Sequence, residues 1–341
     1  MNRVVITGLG VISCLGNDRS EVLSSLRASK SGLSINQDYV DNGMRCHVSG
    51  QVNADLTTID RKMLRFMSET SAYAFLSTKE AIEDSGLSAE QISNNDVGVI
   101  VGSGTGSSRE LKNVVDTARE KGIKRIGPYA VTRTMGNTTS AAISTFFQTK
   151  GVSFSIASAC STSLHCISYG YDLIKNGKQK IVIAGGAEDD HWTGAMMFDA
   201  MGALSTKSNE NPTSSSKPYD LNRDGFVPSG GGGIVILEEY ESAKKLFSYL
   251  IDNFSDPEKL PLSLFWLGEI EFSSSNFDQS KIHYIELISS FENHWRVPLA
   301  HKKIGDIFFK KGDIKMAKEK GAATQAPPEG AKREFTCETL D

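Results

Sequence analysis

Cys160 stands in Ser158-Ala159-Cys160-Ser161-Thr162-Ser163, between a short apolar run and an amphipathic helical pattern. Thiolate, not thiol, is the attacking form of cysteine, and the unpaired N–H groups at a helix start favour an anion. Ala157, Ser158 and Ala159 keep the approach small, as a strand-to-helix elbow requires. The position therefore suits a nucleophile, although a buried structural thiol is the commoner fate of a cysteine. Cys166 falls mid-helix and reads as structural. His165, five residues beyond Cys160, is rotated by roughly 140° on a helix of 3.6 residues per turn. It should point away and serve packing. His191 follows Gly185-Gly186-Ala187-Glu188-Asp189-Asp190, which reads as a loop with no ligand role.

Other chemistry-bearing patterns are weaker. Gly8-Leu9-Gly10 follows an apolar run, but Ser13 stands where a dinucleotide loop needs its third glycine. Gly102-Ser103-Gly104-Thr105-Gly106 lacks the Gly-Lys-Ser/Thr ending of a phosphate loop. Gly230 to Gly233 precede a strand, where close backbone packing explains them. The cysteines (14, 46, 160, 166 and 337) number five, with no Cys-x-x-Cys pair. That pattern suggests neither zinc site nor disulfide framework, but reduced thiols in a cytoplasmic protein. No metal or cofactor is expected.

These residues need a framework. The chain has 341 residues, 39% hydrophobic, with a net charge of -4. It is long enough for a sizeable core and too acidic for a general nucleic-acid binder. Its N-terminus lacks a signal-peptide pattern, and no segment approaches the ~20 apolar residues of a membrane span. Buried strands are expected at Val4–Thr7, Val97–Val101, Ser153–Ala157, Ile181–Ala184 and Gly233–Leu237, and helices at Ser68–Ser85, Asn137–Gln148 and Ser161–Lys175. This alternation implies an α/β unit over residues 1–245, with a mostly parallel sheet covered on both faces. From 246 to 320 the pattern is helical throughout. Trp266-Leu267-Gly268-Glu269-Ile270 aligns with Lys303-Ile304-Gly305-Asp306-Ile307, Phe272 with Phe309 and Ser280 with Ala317, a 37-residue repeat close to the ~34 residues of tetratricopeptide helix pairs. Gly268, Gly305, Ser280 and Ala317 would sit where paired helices approach. Residues 321–341, polar and containing Pro327-Pro328, read as a disordered tail.

Ordered motifs then carry a resemblance. They are Arg3-Val4-Val5-Ile6-Thr7-Gly8-Leu9-Gly10, Ser31-Gly32-Leu33, Gly43-Met44-Arg45 with His47-Val48, and Asp60-Arg61-Lys62 with Arg65-Phe66-Met67. Gly127-Pro128-Tyr129, the Cys160 segment through Cys166, Phe198–Ser205 and Tyr219–Phe226 follow. Over 1–245 the chain resembles the N-terminal half of bacterial β-ketoacyl-[acyl-carrier-protein] synthases, closest to type I. The resemblance implies a thiolase-like fold and the condensing chemistry of fatty-acid elongation. Cys160 would take an acyl chain from acyl carrier protein, and a malonyl-carrier carbanion formed by decarboxylation would attack it. The N–H of Cys160 would be one oxyanion donor. By the same analogy Thr134, Met135 and Phe198 border the acyl pocket, and Arg61, Lys62, Arg65, Lys124 and Arg125 meet the acidic carrier. The family is homodimeric, so a homodimer is implied.

The family's two histidines, lysine and closing glycine loop belong to its second half. Here His283, His294 and His301 lack the flanking motifs, so no catalytic histidine is carried over and impaired condensation is expected. Residues 247–320 resemble instead the tetratricopeptide domain of the periplasmic Tol-Pal-associated protein, through Phe265–Glu269 and Pro298–Gly305. The alternatives are a peptide-binding scaffold with a relic synthase part, or an acyltransferase or thioesterase acting through Cys160. The N-terminal half alone would expose an apolar face meant for its twin.

Overall fold

The computed structural model describes residues 2–253 and 259–322. Its contacts divide the chain into two units, 1–243 and 244–341, and the division falls within the helix Tyr240–Asn253.

The first unit is built on seven strands: β1 (Val4–Ser13), β2 (Ser34–Ile35), β3 (Val48–Ser49), β4 (Val97–Gly102), β5 (Ser153–Phe154), β6 (Ile181–Glu188) and β7 (Gly231–Glu239). β2 and β3 form a separate ladder, and the other five make one sheet in the order β1-β7-β6-β4-β5. β7 is antiparallel to both its neighbours, while β6, β4 and β5 pair in parallel. Four strands thus share one direction and β7 alone runs against them, the mostly parallel sheet that the strand–helix alternation predicts. All six residues of β4 are buried, as a central strand covered on both faces must be.

Two helices supply the cover. Thr162–Lys175 packs Cys166, Leu173 and Ile174 against Ile100, Val182, Ala184 and Leu237. Glu69–Ser85 lies on the other face, capped by Ser68 and ended by Gly86 at φ 74, the left-handed cap that glycine favours. This helix approaches β1 so closely that a Cβ on Gly10 would lie 1.9 Å from the Ser77 carbonyl oxygen, and one on Gly8 2.1 Å from that of Ala81. Gly8 and Gly10 therefore lie inside a strand that continues to Ser13, not in a loop after it. Their small size admits the helix. The outer edge of β1 is satisfied by side chains of the same helix: Asp84 accepts from Leu9 N–H at 3.0 Å and Glu80 from Val11 N–H at 2.8 Å.

Between β1 and β7 the register shifts at Thr7, a bulge. It turns the Thr7 hydroxyl onto the carboxylate of Glu238, and both side chains are buried. Burial pushes the Glu238 carboxyl up to about 7, against the opposing hydrogen bond from Thr7.

In the second unit the remainder of Tyr240–Asn253 is followed by the described helices Lys259–Ser273, Phe277–Ser290, Val297–Lys310 and Ile314–Ala322. Two of their turns, 37 residues apart, have the same backbone bonding, a left-handed ending common to many helices. Ser275 at φ 61 matches Gly312 at φ 81. The bond from Asn276 N–H to Glu271 C=O (2.9 Å) recurs as Asp313 to Phe308 (2.9 Å), and Ser275 to Phe272 (3.0 Å) as Gly312 to Phe309 (3.0 Å). Gly268 sits where two helices meet: a Cβ there would lie 2.4 Å from the Tyr284 ring, and Ser280 Oγ donates to its carbonyl at 2.8 Å. Gly305 is buried and Ala317 half-buried. The remainder of the expected disordered tail, 323–341 with Cys337, lies outside the described residues.

Candidate active site

The elbow before Cys160 is tighter than a simple strand-to-helix turn. β5 ends at Phe154, three residues short of expectation, because only Ser153 and Phe154 pair with β4. Ser155 Oγ then donates to the Val101 carbonyl at 2.6 Å and ties the loop to β4. Ala159 takes φ 51, a left-handed conformation that costs an L-residue about 1–2 kcal/mol. Local bonds hold it there. Ser161 N–H donates to Ser158 C=O and Thr162 N–H to Ala159 C=O, both at 3.1 Å. Thr162 Oγ1 accepts from Ser158 N–H at 2.8 Å. Strain that persists at a small, well-tied loop is common where a side chain must be presented.

Cys160 emerges exposed, two residues before the helix Thr162–Lys175. It lines a cavity of about 490 Å³ shared with Gly102–Thr105, Glu188–His191, Phe198 and Phe226–Gly233. The thiol thus has a chamber in front of it. Cys166 behind it is wholly buried, its thiol pushed up by burial, and serves the core. His165 differs from expectation. It is exposed rather than packed, and its Nδ1 shares a 2.6 Å hydrogen bond with Ser158 Oγ. The ring is within reach because the chain turns back at Ala159.

β6 also runs further than expected, through Gly185, Gly186 and Ala187 to Glu188, because glycines let neighbouring strands press in. A Cβ on Gly185 would lie 2.1 Å from the Gly233 carbonyl oxygen. The acidic residues at its end enter the cavity wall. Burial raises the carboxyls of all three, Glu188, Asp189 and Asp190, and each has hydroxyl or amide donors that counter it. Glu188 accepts from Gly104 N–H, from Ser103 Oγ at 3.0 Å and from Thr105 Oγ1 at 3.1 Å. Asp189 accepts from Ser107 at 2.8 Å, and Asp190 from Tyr39 at 2.5 Å and Ser49 at 2.6 Å. These carboxylates brace loops. His191 caps the helix Trp192–Ala200, accepting from Thr193 N–H; burial, with Arg109 adding, lowers its imidazole to about 4. It is uncharged at neutral pH. Among the described residues no group of three or more His, Cys, Asp or Glu is arranged to hold a metal ion.

Of the pocket residues named from sequence, Phe198 reaches the cavity, where it meets Phe226 edge-on at 5.3 Å. Thr134 ends the short helix Ala130–Thr134 with its hydroxyl on the Ala130 carbonyl (2.9 Å), and Met135 follows, exposed. Neither is among the residues that line the chamber. Arg61 and Lys62 begin a four-residue helix, with Arg65 at its end. Arg65 donates to Tyr129 OH at 3.1 Å, and Tyr129 lies four residues beyond Arg125, the end of the turn Ile123–Arg125 that carries Lys124. All five are exposed. Two of the ordered motifs are architectural: Asp199 accepts from the backbone of Arg45 and Cys46, and Asp224 from that of Thr206 and Lys207. The surface also bears exposed apolar side chains, Leu164, Val131, Met197 and Met201 among them. No helix among the described residues is long and apolar enough to cross a membrane.

Comparison with known proteins agrees with this geometry. The family model of the β-ketoacyl synthase N-terminal domain matches residues 1–243. The 3-oxoacyl-[acyl-carrier-protein] synthase 1 of Haemophilus influenzae is 50% identical over 245 residues, 71% of this chain and 60% of that protein. The same enzyme of Escherichia coli K12 is 52% identical over 246 residues, 71% of this chain and 61% of its own length. Among solved structures, a β-ketoacyl synthase from Burkholderia phymatum superposes with a TM-score of 0.66 at 31% identity, covering 72% of this chain and 61% of that one. A type II polyketide ketosynthase in complex with its acyl-carrier protein gives 0.61 at 25% identity, covering 72% and 60%. The chain spans about three fifths of the length of the curated relatives it matches.

Proposed function

The chain belongs to the β-ketoacyl synthase family, with the thiolase-like α/β fold over residues 1–243, and from that premise we propose that Cys160 accepts an acyl chain in fatty-acid elongation. The observation that carries this reading is the exposed thiol on a left-handed elbow, facing a 490 Å³ cavity. The Cys160 sulfur attacks the thioester carbonyl of an acyl-carrier protein. The new C–S bond forms as the old one breaks, and the carrier leaves as its free thiol. Covalent capture divides one difficult condensation into two steps. The second step is decarboxylating Claisen attack by malonyl-carrier protein on the acyl-cysteine. In this chain we assign only the first step to named residues, which supports an acyltransferase or thioesterase outcome if the second fails.

Arg61, Lys62, Arg65, Lys124 and Arg125 are the proposed landing for the acidic carrier; their exposure and the Arg65–Tyr129 bond support a common patch. Phe198 is proposed as an acyl-pocket wall, with Thr134 and Met135 outside the lining. The single-sided pairing of β5, with Phe154 exposed, supports the family's homodimer, and a cytoplasmic location accords with free thiols. The matched turns of the second unit favour a tetratricopeptide-like helix-pair array with a peptide partner.

The test is mass spectrometry of the chain after incubation with an acyl-carrier thioester. One acyl adduct on the peptide containing Cys160, absent from Cys160→Ala, is expected. An unmodified Cys160 at saturating carrier would refute the acyl-acceptor role. Release of β-ketoacyl product on adding malonyl-carrier protein would show that the second step also runs.

A further inference from the structure

We infer that Glu188 is a positioning residue for Cys160, holding the glycine loop after β4 as a rigid backstop to the elbow. The inference rests on the acyl-acceptor reading of Cys160. Three donors from consecutive residues converge on one carboxylate: Ser103 Oγ, Gly104 N–H and Thr105 Oγ1. The loop so held is pressed against the elbow, since a Cβ on Gly104 would lie 3.0 Å from the Ala159 carbonyl oxygen and 3.2 Å from its carbonyl carbon. Ala159 is the strained residue, and its C=O is the acceptor for Thr162 N–H at the start of the helix.

The chain of contacts therefore runs from the Glu188 carboxylate through Gly104 to the peptide bond joining Ala159 to Cys160. That peptide carries the Cys160 N–H. Without the backstop, Ala159 has room to leave its left-handed conformation, and relief of strain favours that departure. The direction of the Cys160 N–H would then be lost, although the thiol would stay exposed. Ser103 strengthens the device by accepting from Gly106 N–H at 2.8 Å, so the loop is closed on itself as well as on Glu188.

This separates two reactions of the same sulfur. Alkylation by iodoacetamide needs an accessible thiol, whereas acylation by an octanoyl thioester also needs an oriented donor for the developing oxyanion. In Glu188→Ala the acylation rate should fall roughly tenfold or more, with alkylation of Cys160 changed less than about threefold. Glu188→Gln, which keeps an acceptor for Gly104 N–H, should acylate within about threefold of the parent. Thr105→Val, at an exposed position, removes one donor and should fall between the two. Hydrogen exchange in the full chain should rise in peptides covering 101–106 and 156–162 of Glu188→Ala. Parental acylation by Glu188→Ala, or an equal fall in both reactions, would overturn the inference. If the parent itself is not acylated, the acyl-acceptor reading fails, and unchanged exchange at 156–162 would overturn the backstop as well.

Discussion

Replacing Glu238 by Gln should abolish a pH dependence of stability that the buried β1–β7 contact imposes. Glu238 is 1% exposed, and its carboxyl is raised from 4.5 to about 7 because burial disfavours the charged form. The folded state then binds more protons than the unfolded state between these two values. Stability from this group is complete below pH 4.5, falls through the interval, and is gone above 7. A displacement of about 2.5 units at about 1.36 kcal/mol each amounts to about 3 kcal/mol. Gln keeps an acceptor for the Thr7 hydroxyl and carries no proton to lose. At pH 8, Glu238→Gln should therefore exceed the parent by about 3 kcal/mol, and at pH 4.5 the two should coincide. Urea unfolding read by hydrogen exchange on β1 and β7 peptides isolates this unit from the helical one. Parallel pH curves for the two proteins would refute the reasoning, because a glutamate that is charged when folded leaves no differential proton.

Other substitutions probe other parts of the argument. Gly10→Ala should destabilise the first unit by about 2–3 kcal/mol in urea titrations, since the new methyl meets backbone on the helix Glu69–Ser85. Gly268→Ala should loosen the helix pair against Tyr284 at a similar cost, read by exchange in 259–290. His191→Asn should keep the helix cap at pH 7 while removing the acid loss of stability that begins as pH falls below 6.5 toward 4, where the unfolded ring is charged and the folded ring resists protonation. Reversing Lys124 and Arg125 to glutamate should raise severalfold, at low salt, the acyl-carrier protein concentration that half-saturates acylation of Cys160, with the saturating rate unchanged, and the effect should shrink as salt is added.

The sequence announces features whose cause is local and hides those whose cause is distant. Ser68 and Gly86 bracket a helix by their own capping chemistry, and the structure uses both. The helix Ser108–Lys121 was legible in principle: Ser107 and Glu110 three residues on are a capping signature, and Gly122 follows the end. The glycines at 8, 10, 185 and 186 mislead because a strand admitting a close neighbour and a loop make the same local demand for a missing side chain. The small-residue approach marks the elbow at Cys160, and the structure places that thiol exposed on it. The bracing role of Glu188, Asp189 and Asp190 is not, since their partners Ser103, Ser107, Tyr39 and Ser49 lie far away along the chain. The turns at Ser275 and Gly312 share their backbone bonds although their residues differ, because backbone bonding tolerates many side chains.

Part of the wall of the chamber in front of Cys160 is main chain, contributed by Gly102, Gly104, Gly186 and Gly230 through Gly233. That stretch of wall has few adjustable parts. At most of these glycines a substituent collides with fixed backbone rather than projecting into the space, as at Gly102, where a Cβ would sit 2.1 Å from the Ile156 carbonyl oxygen. Phe198 and Phe226, whose rings meet at 5.3 Å in the lining, are by contrast positions where a side chain can change size without moving the main chain. A library that varies those two residues together should therefore change the volume of the chamber while leaving its main-chain wall in place.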